Sequence, residues 1–271
     1  MAKILTISSQ VVSGHVGNSA MTFALQRMGH EVLSIPTILL SNHPGHKTFA
    51  GSATAIPLLQ NILNALEAND HLSTLDGVIT GYLPSAAHAG FASMALDKIK
   101  SSSDARILVD PVMGDYPKGL YIDLPTAEQI KHDLLPKADI TTPNYFELQW
   151  LTGEQSDPAT NAEKLPVKTT LVTSAPGKNE DSLQNLLITP EGIWSCEVPR
   201  QQNAPNGTGD LFSALFLGNI LNGQNEISAL AQATAGIDTV LKASRDSTEL
   251  QLTRSQEEWV NLGNWPVTKI V

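Results

Sequence analysis

The chain has 271 residues, 41% of them hydrophobic and 16% charged, with a formal net charge of −10. That length buries a sizeable core in one large α/β domain, and no apolar run approaches the ~18 residues that a membrane span needs. An acidic chain without clustered Lys and Arg argues against a nucleic-acid surface, and the single cysteine, Cys196, excludes an intramolecular disulfide and any multi-cysteine zinc or iron–sulfur site.

The chain opens on "MAKILTISS", whose one lysine and short apolar run predict a first strand and lack the apolar core of a signal peptide, so a cytoplasmic location is the expectation. Apolar runs rich in Val, Ile and Leu then recur as "HEVLSIP", "DGVITGY", "ARILVDP", "ADITTP" and "TTLVTS", each short enough for a buried strand. Between them lie "GNSAMTFALQRMG", "TAIPLLQNILNALEAN", "SAAHAGFASMALDKIKSS", "PTAEQIKHDLLPK" and "NYFELQWLTG", whose apolar residues recur at helical spacing. This alternation predicts a mostly parallel sheet covered on both faces. "GEQSDPATNAEKLP", residues 153–166, reads as a loop. A hairpin over residues 183–199 and helices over 209–221 and 226–243 complete the pattern. No linker or repeat interrupts it, so one domain over residues 1–271 is expected.

Ligands of such a sheet sit beyond the carboxyl ends of its strands, which makes the polar, Gly- and Pro-rich segments there the places to look. Gly207, Thr208 and Gly209 bound a turn that opens a long apolar helix, where free amides and the helix dipole suit a phosphate or a developing oxyanion. Asp210 beside them has the chemistry to accept a hydroxyl proton. Taken alone, the segment reads more readily as a helix N-terminus with a favourable aspartate. In "LVDPVMGD", Asp110 ends a strand and Asp115 follows five residues on, a carboxylate pair suited to Mg²⁺ or to a plain turn. Thr142 precedes Asn144 and Glu147, which face one point and also match a capping box. A dinucleotide fingerprint, a Walker A loop, protein-kinase motifs and a nucleophile elbow are all absent, which excludes those lineages. His43 and His46 lie in a Pro/Gly loop with no third ligand nearby in sequence, so a metal pair there is disfavoured.

In their order and spacing, "GHVGNSA", "LLSNHPGH", "GYLPSA", "DPVMGD", "TPNYFEL" and "NGTGD" resemble the pyridoxal kinases of the ribokinase-like superfamily, over nearly the whole chain. The resemblance implies a ribokinase-like α/β fold, a central mostly parallel sheet with helices on both faces. It implies ATP-dependent phosphorylation of the 5′-hydroxyl of pyridoxal, pyridoxine or pyridoxamine, giving pyridoxal 5′-phosphate in vitamin B6 salvage. By the family's pattern Asp210 is the base, and the amides from Gly207 through Thr208 and Gly209 form the anion hole. Ser9 hydrogen-bonds the pyridine ring, Tyr82 lies against it, and Pro44, Gly45 and His46 close one side. Asp110, Thr142, Asn144 and Glu147 face ATP and its Mg²⁺, and Asp115 stands near the phosphates or a monovalent cation. Thr173 contacts the nucleotide, Val198, Pro199, Arg200 and Gln201 border the adenosine, and residues 116–121 form a lid. A homodimer is also implied.

The chain departs from some relatives at Thr173, where they carry lysine, at Leu120, where some have a lid cysteine, and at Pro44 and Gly45, where others have hydrogen-bonding side chains. Those departures bear on nucleotide affinity, aldehyde handling and vitamer preference. Two other readings remain: a hydroxymethylpyrimidine kinase of the same superfamily, and a non-catalytic vitamin-binding protein.

Overall fold

Continuous apolar runs on the central strands drive the architecture, because each of these strands buries both faces. Residues 1–201, 204–261 and 263–270 are described by a computed structural model. In chain order the strands are β1 (Lys3–Val11), β2 (Glu31–Leu40), β3 (Gly51–Ala53), β4 (Gly77–Thr80), β5 (Arg106–Val109), β6 (Gly114–Asp115), β7 (Gly119–Leu120), β8 (Ile140–Thr141), β9 (Thr169–Pro176), β10 (Ser182–Thr189), β11 (Gly192–Pro199) and β12 (Thr268–Lys269). The helices are α1 (Asn18–Arg27), α2 (Ile56–Ala68), α3 (Ala86–Ser102), α4 (Leu124–Gln129), α5 (Tyr145–Thr152), α6 (Pro158–Ala162), α7 (Thr208–Leu221), α8 (Glu226–Ala243) and α9 (Gln256–Val260).

Ten strands form one sheet in the order β3-β2-β1-β4-β5-β8-β9-β10-β11-β12, and β6 pairs only with β7. From β2 to β9 every neighbour is parallel, while β3 at one edge and β10, β11 and β12 at the other run antiparallel. Successive residues feed opposite cores: Leu5, Val78 and Ile107 join one cluster with α2, α3 and α5, whereas Ile4, Ile79 and Leu108 join the other with α1, α7 and α8. Helix α7 packs between the sheet, α1 and α8, so every residue from Leu211 to Gly218 is buried and its sequence is apolar all round.

The expected strands and long helices form, and the expected helices over 209–221 and 226–243 are α7 and α8. Three local features differ. Inside the expected loop over 153–166 lies α6, where Asp157 caps by accepting the Thr160 N–H and Pro158 occupies the first turn. The expected helix over 125–137 narrows to α4 and continues as a π-turn and a 3₁₀-turn, with Pro136 in the latter. The edge strands β3 and β12 span three and two residues, too short for any period to register. Among the described residues no helix is long and apolar enough to cross a membrane.

Candidate active site

The parallel strands β1, β4, β5, β8 and β9 end at one edge of the sheet, and the polar segments that follow them converge there with the start of α7. Gly207 turns the chain into α7 at φ 97°, and a Cβ there would stand 2.1 Å from the His15 carbonyl oxygen, so only glycine fits. Among the described residues no side chain caps α7, which leaves its first amides to suit an anion. Asp210, in the first turn, caps nothing in its own helix; its carboxylate accepts the N–H of Gly17 at 2.8 Å, from a residue 193 positions earlier. Burial pushes its pKa up to about 6, against the opposing pull of that amide.

Asp110, buried just past β5, faces the same point, since a Cβ on Gly209 would lie 4.0 Å from its Oδ2. That oxygen accepts from Ser213 Oγ at 3.0 Å, and Ser213 in turn meets Thr142 Oγ1 at 2.8 Å. A hydroxyl has one proton, so Ser213 donates to Asp110 and Thr142 donates to Ser213. Burial first, then the charges of Glu147 and Asp210, hold the Asp110 carboxyl well above the ordinary range.

Asn144 and Glu147 close a complete capping box on α5: Glu147 N–H donates to Asn144 Oδ1 at 2.9 Å, and Asn144 N–H donates to Glu147 Oε2 at 2.8 Å. The other Glu147 oxygen accepts the Met113 N–H at 2.9 Å and, more weakly, that of Gly114, while Asn144 Nδ2 donates to the Gly114 carbonyl. Both residues therefore brace the segment between Asp110 and Asp115 as well as capping α5. Burial pushes Glu147 up to about 8, although all three amides favour its ionised form. Asp115, exposed on β6, accepts the Tyr116 N–H at 2.7 Å.

Among the described residues no ion pair engages Asp110, Asp115, Glu147 or Asp210, although the charge of Lys118 acts on Asp115. Nor do any three His, Cys, Asp or Glu side chains among them stand close enough to hold one metal ion together. Hard carboxylate oxygens without ion-pair partners fit a divalent ion that keeps most of its ligands as water and phosphate, which is how Mg²⁺ is usually held.

Ser9 occupies a bulge in the pairing of β1 with β2, and a Cβ on Gly17 would come within 2.3 Å of its Oγ. Ser9 and the amide that binds Asp210 are thus packed together. Tyr82 follows β4, donates its N–H to Ser8 Oγ at 3.0 Å and accepts the Thr37 hydroxyl on its carbonyl. A Cβ on the preceding Gly81 would lie 3.6 Å from Asp210 Oδ1. The Pro44–Gly45–His46 turn approaches Asn206, next to Gly207, across a cavity of about 460 Å³.

Comparison with known proteins draws on the whole chain. Residues 24–255 match the phosphomethylpyrimidine kinase family model. A pyridoxal kinase of Corynebacterium diphtheriae is 32% identical, over 94% of each chain. The chain belongs to the pyridoxal kinase family. Its backbone matches pyridoxal kinase from Entamoeba histolytica with a TM-score of 0.93 at 26% identity, and that from Leishmania donovani in complex with ADP and pyridoxamine with 0.91 at 28%, each over 100% of both chains.

The nucleotide-side residues of the family pattern lie at the same edge but apart from the carboxylates. Thr173 N–H donates to the Pro143 carbonyl at 3.0 Å, tying β9 to the segment before Asn144. Val198 and Pro199 pair with Leu183 and Ser182, Arg200 is held through its backbone and Nε by the Asp181 and Glu180 carbonyls, and Gln201 follows half-buried. Of residues 116–121, expected as a lid, 116–118 form the tip of the β6–β7 hairpin, where Tyr116 packs edge-on to Phe146 at 5.3 Å, and the rest run through β7 to Tyr121. Reasoning from sequence missed Ser213, one turn after Asp210, and the Gly17 amide. It placed Tyr121 only in the lid; its ring is half-exposed, yet desolvation of its hydroxyl, with the carboxylates of Glu147, Asp110 and Asp210 facing it, raises its pKa. Ser213 was readable from its i+3 spacing to Asp210; Gly17 was not, because backbone amides carry no sequence signal.

Proposed function

We propose that the protein transfers a phosphoryl group from ATP to the 5′-hydroxyl of pyridoxal, pyridoxine or pyridoxamine, forming pyridoxal 5′-phosphate or its relatives. The observation that carries this reading is the Asp210 carboxylate, half-buried beside the start of α7 and held by the Gly17 amide. In this position Asp210 takes the hydroxyl proton while the amides of Gly207, Thr208, Gly209 and Asp210 hold the phosphoryl group in transit. Ser9 and Tyr82 orient the pyridine ring, and the turn from Pro44 to His46 covers it. Thr142, Asn144 and Thr173 line the phosphate path, with Val198, Pro199, Arg200 and Gln201 bordering the adenosine. Asp110 and Glu147 would hold Mg²⁺ through water, and Asp115 would meet the phosphates or a monovalent cation. Bound there, Mg²⁺ supplies positive charge to the phosphates.

In this reading residues 1–271 act as one domain, in the cytoplasm and as a homodimer. Exposed Val12, Leu39 and Phe49 near the edge strand β3, which pairs with β2 on one side, support self-association. The phosphomethylpyrimidine kinase family match favours a second substrate of the same shape, a hydroxymethylpyrimidine. Side-by-side turnover decides: pyridoxal should be phosphorylated with at least ~10-fold higher kcat/KM, and a preference for the pyrimidine would replace the first reading with the second.

A further inference from the structure

The segment that follows α8 reaches back over the site. Glu249 Oε1 meets His46 Nε2 at 2.6 Å, joining residues 203 positions apart, and both side chains are half-buried. Among the described residues this is the one side-chain hydrogen bond that carries the loop of residues 42–49 to another part of the chain. The loop's other polar contacts are internal: the Gly45 N–H donates to His43 Nδ1, and Asn42 Nδ2 donates to the His43 and Thr48 carbonyls. The same carboxylate fills the space beside Gly14, where a Cβ would come within 2.5 Å of Glu249 Oε2, so Glu249 also packs on the turn that ends at Gly17. Glu249 is itself fixed, its N–H donating to Ser247 Oγ, while Gln251 donates to Ser247 Oγ, the Glu249 carbonyl and Ser244 Oγ. Next to it, buried Leu250 stands 3.2 Å from where a Cβ on Gly207 would be.

We propose that Glu249 is a positioning residue for the vitamin site, latching the His43–His46 loop closed and backing the Gly14–Gly17 turn that supplies the amide to Asp210. This rests on the pyridoxal kinase reading. Glu249 touches neither nucleotide nor reacting atoms; it sets how long the loop stays over the ring. Loss of the latch therefore weakens vitamer binding and leaves the nucleotide side alone, because the loop approaches Asn206 and Glu249 and, among the described residues, makes no side-chain bond to β9 or β11.

The test pairs kinetics with a readout that needs no turnover. Glu249→Ala should raise KM for pyridoxal about 10-fold, with kcat changed less than about threefold and KM for ATP unchanged. Glu249→Gln, which keeps an acceptor for the His46 ring, should recover most of that loss. Combining Glu249→Ala with His46→Ala should cost little more than either alone, as expected of one shared contact. Independently, trypsin should cut after exposed Lys47 several-fold faster in Glu249→Ala than in the wild type. An unchanged pyridoxal KM with an unchanged Lys47 cutting rate overturns the latch. Equal losses in kcat and in both KM values overturn it in favour of a general packing role. A wild-type protein that phosphorylates no vitamer, yet shows the Lys47 difference, defeats the kinase reading and leaves the latch standing.

Discussion

Asp210 must lose its proton to act as a base, and burial works against that loss. Its pKa of about 6 sits where a base is mostly ionised at neutral pH yet still basic enough to take a hydroxyl proton in the transition state. The sign follows directly: the ionised form is the active one, so kcat/KM for pyridoxal should rise with pH through about 6 and level off above it. A rate profile flat from about pH 5 to pH 7 would contradict this assignment. Its own segment reads first as a helix cap, and only the rest of the sequence turns Asp210 into an expected base. The structure separates them, because the carboxylate bonds an amide of a distant turn and none in α7. That contact was illegible in the sequence, since it joins segments 193 residues apart through a backbone donor.

At the scale of elements, the start of α7 depends on one backbone conformation. Gly207 has a positive φ and stands against the His15 carbonyl, so Gly207→Ala must strain the turn or push the two segments apart. Such strain costs about 1–3 kcal/mol, and the displaced amides should lower kcat by about 10-fold or more. Thermal unfolding and steady-state kinetics on the one variant check both, and an alanine that left kcat unchanged would remove the amides from the account. The central strands were legible as short continuous apolar runs, and the long helices because an apolar period of 3.6 runs through them. The capping box of Asn144 and Glu147 was legible too, because it is local. Its second task was not: Glu147 also holds the Met113 and Gly114 amides, 34 and 33 residues earlier, once β5 and α5 are side by side. The Glu249 latch was hidden for the same reason, and short β3 and β12 because pairing with a neighbour, and no internal pattern, makes them strands.

Across the whole molecule, the sheet brings Asp110 from a strand end, Glu147 from the helix on one face and Asp210 from the helix on the other to a single acidic edge. Raised carboxyl pKa values mean that the folded state binds protons more tightly than the unfolded chain. The stability penalty is absent below about pH 4, where both states are protonated, and grows as pH rises toward the Glu147 value of about 8. A bound cation offsets that penalty most where the carboxylates are ionised. Mg²⁺ with ADP should therefore raise Tm more at pH 8 than at pH 6, measured by thermal unfolding; an equal or smaller rise at pH 8 would remove these carboxylates from the metal site. The central claim is that Asp210 is the base for phosphoryl transfer to a B6 vitamer, and ATP-dependent formation of the 5′-phosphate across pyridoxal, pyridoxine and pyridoxamine, by the wild type and by Asp210→Asn, tests it most directly. The account predicts product from at least one vitamer and a kcat roughly 10²-fold lower or less still in the variant; near-normal kcat in Asp210→Asn would contradict it.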